Sequence, residues 1–204
     1  MPTDERKTKI SAIAAKRQKG LALVIEDVSD PHNAEAAIRS CDALGVQEAY
    51  FIFGKERPFD PAKVGRATSA SANKWLTFHA FHSVRECYDA LHRDGYVIAA
   101  TALHHDAEDI QQADLAIPKL AIVIGNEHRG LSEEAITLAD RRIVFPMRGF
   151  VESLNLSVAA TLFLYETIRQ REAKGGEWRV SSDDVLALKR RWLGEDVFSD
   201  SAEK

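Results

Sequence analysis

Ser153, Asn155 and Ser157 alternate with Leu154 and Leu156 in PMRGFVESLNLSVAATLFLYE (146–166), where a strand-like run ending at Pro146 gives way to a long apolar stretch. Short polar side chains at the start of a helix can do either of two things. They accept hydrogen bonds from first-turn N–H groups that have no carbonyl partner. Alternatively, they face an anionic or polar ligand at the positive end of the helix. Capping needs nothing beyond the segment itself, whereas ligand contact needs other residues that converge on it.

Two further segments carry candidate chemistry. In EDVSDPHNAEAAIRS (26–40), Asp30-Pro31 turns the chain, Asn33 is the expected N-cap of a helix, and Arg39 follows nearly two turns later. Arg39 is flanked by Ala36, Ala37, Ile38 and Cys41. A guanidinium beside an apolar face suits a phosphate or carboxylate ligand, and a structural ion pair suits it equally. In IVIGNEHRGLSEEA (122–135), Gly125 and Gly130 permit close backbone approach or positive φ, and the Glu127 carboxylate can meet a cation or position a hydroxyl. A tight strand–helix turn with a solvated glutamate is the plainer alternative. His104 and His105 are adjacent on a loop with Asp106, but no further ligand stands at useful spacing, so no metal site is expected.

Missing motifs narrow the chemistry. No glycine lies between Gly20 and Gly45, so the dinucleotide fingerprint GxGxxG is absent after the first strand; a Walker P-loop is absent throughout. Ser153 has no GxSxG elbow around it.

The elements that must position these residues alternate. Short apolar runs at 21–27, 48–54, 96–101, 120–126 and 141–145 predict strands, with a weaker one at 74–81. Helical periodicity appears at 33–45, 83–95 and 132–140, with Gly45 and Gly95 placed as C-terminal stops. Strand–helix alternation predicts an α/β domain with a mostly parallel sheet flanked by helices. Strands that are apolar on both faces predict helices on both sides. Ligands in such sheets bind beyond the carboxyl ends of the strands, which singles out the loops 27–33, 101–108, 125–131 and 146–155.

The chain of 204 residues is 45% hydrophobic and 28% charged, with no run long enough to span a membrane. The start, MPTDERKTKISAIAAKRQKG, has no signal-peptide apolar block, and Cys41 and Cys87 show no CxxC spacing, so the cytoplasm is the expected compartment. The net charge of −4 hides two basic ends: six Lys/Arg in residues 1–20, and Arg169, Arg171, Lys174, Arg179, Lys189, Arg190 and Arg191 in 169–192. They suit either a polyanion or ordinary solvated helix faces. The expected organisation is a basic N-terminal helix (1–20), a core (21–172) and a helical C-terminal extension with an acidic tail (173–204).

Taken together, VIEDVSDPHNAEAAIRSCDALGV, LAIVIGNEHRGLSEEA and IVFPMRGFVESLNLSVAATLFLYE resemble the three motifs of the TrmH branch of the SPOUT superfamily. The resemblance implies a deep C-terminal trefoil knot and transfer of a methyl group from S-adenosyl-L-methionine (AdoMet) to an RNA ribose 2′-hydroxyl. Within the branch the chain is most similar to enzymes acting on the D-loop guanosine of tRNA. Ribosomal RNA, another tRNA position, or a catalytically silent RNA-binding factor are the alternatives. Carried onto this sequence, the functional side chains are Asn33, Arg39, Glu127, Ser153 and Asn155. Cofactor contacts, mainly through the backbone, fall at Thr101, Leu103, Gly125, Asn126, Ile143, Met147, Leu154 and Leu156. The resemblance also implies a homodimer through the helix starting near Asn155, with tRNA gripped by the basic terminal helices. In family accounts Arg39 removes the ribose proton, with Glu127 and Asn33 orienting it or the ribose. A guanidinium stays protonated in proteins, which favours positioning and electrostatic stabilisation instead.

Overall fold

The computed structural model describes residues 2–64 and 72–195. The acidic tail beyond residue 195 lies outside them. Seven strands in this range form one sheet: β1 (Leu21–Glu26), β2 (Glu48–Ile52), β3 (Thr77–Phe81), β4 (Val97–Thr101), β5 (Glu108–Asp109), β6 (Leu120–Ile124) and β7 (Arg141–Val144). Their spatial order is β3-β2-β1-β6-β4-β7-β5, and every pairing is parallel. β6 therefore lies between two strands that precede it in the chain. Val123 pairs with Val24 on one side and with Ala100 on the other.

Alternation along the buried strands feeds two cores. Leu21, Leu23 and Ile25 face α2 (Pro31–Leu44) and α5 (Leu156–Lys174), meeting Ala37, Ile38, Cys41, Ala160, Phe163 and Leu164. Ala22 and Val24 face the other way, toward α3 (Val84–Arg93) and α4 (Glu133–Leu138), with Cys87, Tyr88, Leu91 and Ala135. Burial of each large side chain contributes about 2 kcal/mol, so both layers are needed to hold the sheet. Gly45 caps α2 at φ 77, and Gly95 follows α3 at φ 79, a left-handed backbone that glycine adopts without steric cost.

Asn33 differs from expectation. The N-cap of α2 is Asp30, whose side chain accepts from the His32 N–H, and Pro31 takes the first helical position. Asn33 sits one turn in, and its side chain is free for other work. At the start of α5, Asn155 is the cap and accepts from the Ser157 N–H.

The termini pack together. α1 (Asp4–Ala14) meets α6 (Ser182–Leu193), which opens with a reciprocal Ser181–Asp184 capping box. Trp192 stands edge-on to Trp75, ring centroids 5.4 Å apart. Two arginines from the basic ends are buried. Arg17 pairs with Asp42 at 2.6 Å and lies over the Trp192 ring. Arg171, 0% exposed, donates to the carbonyls of Lys19, Gly20 and Ile117 and lies over Trp178. Burial, opposed slightly by Tyr96, lowers its pKa to about 10, so it stays charged near neutrality. Neither arginine is available to an external polyanion.

Arg171→Met would take the guanidinium donor from the Lys19 and Ile117 carbonyls, while the Gly20 carbonyl keeps the Leu120 N–H. Urea unfolding should show a loss of at least about 2 kcal/mol; an unchanged midpoint would mean that water replaces the guanidinium without penalty.

Candidate active site

The segments that follow β1 and β6 meet at one carboxylate, and the segment after β7 joins them through Asn33. Glu127 Oε2 accepts from the Ser29 N–H at 3.1 Å and the Ser29 hydroxyl at 2.9 Å. Its Oε1 accepts from the Asp30 N–H at 3.3 Å and from Asn33 Nδ2 at 2.8 Å. Asn33 Oδ1 then accepts from Asn155 Nδ2 at 2.9 Å, while Asn155 Oδ1 takes the Ser157 N–H and hydroxyl. Asn155 thus caps α5 with one side-chain atom and joins the site with the other. Partial burial raises the Glu127 pKa, but the hydrogen bonds from Asn33, its own backbone N–H and Ser29 outweigh that and bring it to about 2. Near neutrality Glu127 is ionised and occupied as an acceptor, which makes it an organiser of Asn33 rather than a free base.

The 125–131 loop has no slack. A Cβ on Gly125 would fall 2.2 Å from the Gly130 carbonyl carbon and 2.3 Å from the Leu131 nitrogen, so only glycine fits. Gly130, at φ +67, is the position that needs a left-handed backbone. Asn126 is buried: its Nδ2 donates to the Asp27 carbonyl, and its Oδ1 accepts from the His128 and Arg129 N–H groups. Asp27, at φ 51, accepts three N–H groups from Gly54, Lys55 and Glu56 at 2.7, 2.8 and 3.1 Å. That brace was not visible in the sequence, because its donors stand far along the chain with no motif linking them.

Beside this network lies a cleft of about 390 Å³. Thr101, Leu103, Ile143, Met147, Ser153 and Leu154 line it, together with Arg129, Leu131, Glu133, Phe145, Glu152 and Phe163. Six of the residues expected from the sequence therefore share one cavity, and Arg129, Glu133 and Glu152 join them unforeseen. Arg129 and Glu133 could have been picked out from their place in the GNEHRGLSE loop. Gly125 and Asn126 are not among the lining residues but shape the turn that ends at Gly130. Leu156 is 2% exposed and belongs to the core. The Thr101 hydroxyl donates to the Val123 carbonyl at 2.9 Å.

Arg39 is exposed on α2, and among the described residues no ion pair engages it. No hydrogen bond links it to Glu127 or Asn33, so the orientation of Arg39 by those residues has no support in this geometry. The next residue, Ser40, bonds Thr161 across to α5 at 2.7 Å. His104, His105 and Asp106 bring their ligand atoms within 4.8 Å of one another. Asp106, their neighbour in the sequence, is thus a third group within reach of both histidines, and it also accepts from Arg142 at 3.4 Å.

A parallel α/β sheet with a hydrogen-bonded polar cluster and an adjoining cleft at its carboxyl edge defines a small-ligand enzyme of the open-sheet class. More particularly, residues 20–165 match the SpoU rRNA Methylase family, and the chain belongs to that family. It is 38% identical to a tRNA (guanosine(18)-2′-O)-methyltransferase of Thermus thermophilus, over 85% of this chain and 87% of the relative. The A. aeolicus TrmH/SpoU tRNA modifying enzyme superposes with a TM-score of 0.81 at 32% identity, covering 95% of this chain and 98% of that one. The SpoU methyltransferase AviRb from Streptomyces viridochromogenes, solved in complex with AdoMet, gives a TM-score of 0.64 at 31% identity, over 85% of this chain and 67% of that one. Among the described residues no helix is long and apolar enough to cross a membrane.

Gly125→Ala should cost about 2 kcal/mol, because a methyl group must displace main-chain atoms; equal melting of variant and parent would show that the loop yields. Glu127→Gln tests the carboxylate through pH. The folded pKa of about 2 lies below the ordinary 4.5, so ionised Glu127 stabilises the fold above pH 4.5 and loses that contribution as pH falls toward 2. Thermal melts should show a deficit in Glu127→Gln at pH 7 that narrows through this window. A pH-independent deficit would assign the effect to packing.

Proposed function

We propose that this protein transfers a methyl group from AdoMet to the 2′-hydroxyl of guanosine 18 in the D-loop of tRNA, the reaction named for its Thermus relative. The observation that carries the reading is the Glu127–Asn33–Asn155 hydrogen-bonded chain set against the cleft that contains Ser153. The cleft suits AdoMet chemically. Its Ile143, Leu154 and Phe163 walls match an adenine, and Glu133 and Glu152 match a cationic amine or sulfur, while Arg129 at its edge is paired with Glu56 at 2.7 Å. When bound, AdoMet supplies a methyl group on a positively charged sulfur.

The chain's own residues then have distinct tasks. Glu127 fixes the Asn33 side chain, which fixes Asn155, so the polar edge facing the ribose is preorganised before RNA arrives. Ser153, exposed at the rim, contacts the ribose or cofactor. Arg39, which has no ion-pair partner among the described residues, grips a phosphate of the target nucleotide and stabilises negative charge on the 2′-oxygen as that oxygen gives its proton to solvent and attacks the methyl carbon, the C–S bond breaking in the same step.

The carboxyl-terminal part of the core forms a deep trefoil knot. The support is membership of the SpoU family, with which the strand order agrees: β6 lies between the earlier strands β1 and β4. The active unit is a homodimer through α5, consistent with the exposure of Val158 and Tyr165 on that helix and of Phe150 and Val151 just before it. The segments 1–20 and 173–204 serve as RNA-binding additions to the 21–172 core, and a tRNA substrate places the work in the cytoplasm. With Arg17 and Arg171 buried, phosphate contacts fall to exposed cations such as Arg6, Lys9, Lys16 and Arg190.

Incubation of unmodified tRNA transcript and, separately, of unmodified ribosomal RNA with AdoMet, followed by ribose-methylation mapping, should place the product at guanosine 18 of the tRNA. A product in ribosomal RNA only would favour the other substrate, and absence of AdoMet binding by calorimetry would favour a silent RNA-binding factor. Arg39→Lys should lower turnover on the order of 100-fold with AdoMet affinity unchanged; near-normal turnover would remove the need for a forked guanidinium.

A further inference from the structure

A second cleft, of about 400 Å³, lies where α1, α2 and α6 meet, at the opposite end of the sheet from the methylation site. Trp75 lines it immediately before β3 begins, whereas the candidate active site gathers where β1, β6 and β7 end. Its walls are apolar and aromatic: Ile10 and Ile13 from α1 face Trp75 and Trp192. Its rim is basic. Arg6 and Lys9 are exposed, and among the described residues neither has an acidic partner. The one acid in the lining, Asp42, is already neutralised by Arg17 at 2.6 Å. The cleft therefore joins two indoles to uncompensated positive charge.

This combination is poorly explained as core structure. It leaves Ile13 at 39% exposure beside two partly exposed tryptophans, of which Trp192 already carries Arg17 over its ring, and two cations with no acidic partner among the described residues. It is well matched to an unpaired nucleotide, whose base packs on aromatic side chains while its phosphates meet lysine and arginine. The volume falls in the range of pockets that enclose small ligands.

We infer that the cleft between α1 and α6 takes an unpaired nucleotide of the substrate RNA, remote from the ribose that is methylated, with the base against Trp75 and Trp192 and the phosphates on Arg6 and Lys9. The inference rests on the RNA-methylation reading above and extends it: one end of the sheet performs chemistry while the other reads the fold of the RNA. A helical stem offers no splayed base to this cleft, so the pocket selects RNA by where its loops fall.

The test uses the full-length protein, unmodified tRNA transcript, and a fully paired RNA duplex of similar length. Ile13→Trp narrows the cleft from an exposed position and should leave the melting temperature and AdoMet affinity unchanged. It should weaken tRNA binding about tenfold, within the range for loss of one base–aromatic contact, with little change for the duplex. Trp192→Leu, which keeps apolar bulk, should act likewise. If it lowers the melting temperature, Ile13→Trp alone decides. Arg6→Ala/Lys9→Ala should raise KM for tRNA with kcat at saturation within about twofold. Unaltered tRNA affinity in Ile13→Trp overturns the inference, as does an equal loss on tRNA and duplex, which would reduce the cleft to a patch of backbone-binding charge. If the parent methylates tRNA and Ile13→Trp is silent, only this inference falls; if the parent binds no tRNA, both readings fall together.

Discussion

The Glu127 carboxylate is the point on which the site depends. It takes hydrogen bonds from Ser29, Asp30 and Asn33, and through Asn33 it reaches Asn155. These groups belong to loops that follow different strands, and none is held there by hydrophobic burial alone. An ionised acceptor with donors on both oxygens costs little to keep ionised, which is why burial fails to raise its pKa. The Gly125 turn does the complementary work through the backbone: Glu127 can reach the β1 loop because the chain doubles back tightly enough to leave no space for a Cβ.

Much of the core was legible in the amino-acid order because parallel strands covered on both faces read as short apolar runs. β1, β2, β4, β6 and β7 were all marked in that way. β5, only Glu108–Asp109, carries no apolar signature and exists because β7 offers it an edge. The glycine stops of α2 and α3 were readable since left-handed backbone has a residue preference. The cap of α2 was misplaced by three residues because Asp30 and Asn33 are both good caps, and only Pro31 at the first helical position discriminates between them.

The site was half legible. Residue types and spacing singled out Glu127, Ser153 and Asn155, and the family resemblance added Asn33, but neither showed that Glu127 binds Asn33 across 94 residues or that Asn155 reaches Asn33 across 122. Arg17 and Arg171 were counted with the basic ends because a charge run looks the same whether it is solvated or folded inward. Their burial depends on Asp42 and on the carbonyls of Lys19, Gly20 and Ile117, none of which is a neighbour in the pattern. The charge available at the termini is accordingly smaller than the sequence suggests.

The placing of β6 has a consequence for how the chain is made. Residues 120–124 fill a slot whose two walls, β1 and β4, leave the ribosome earlier. Until Leu120 emerges, each wall carries a row of unpaired N–H and C=O groups facing a gap, the kind of edge that recruits strands from other chains. The nascent polypeptide therefore passes through a stage in which most of the sheet's sequence exists but its centre is vacant. Synthesis speed over the stretch from Thr101 to Ile124 sets how long that vacancy is open to strangers.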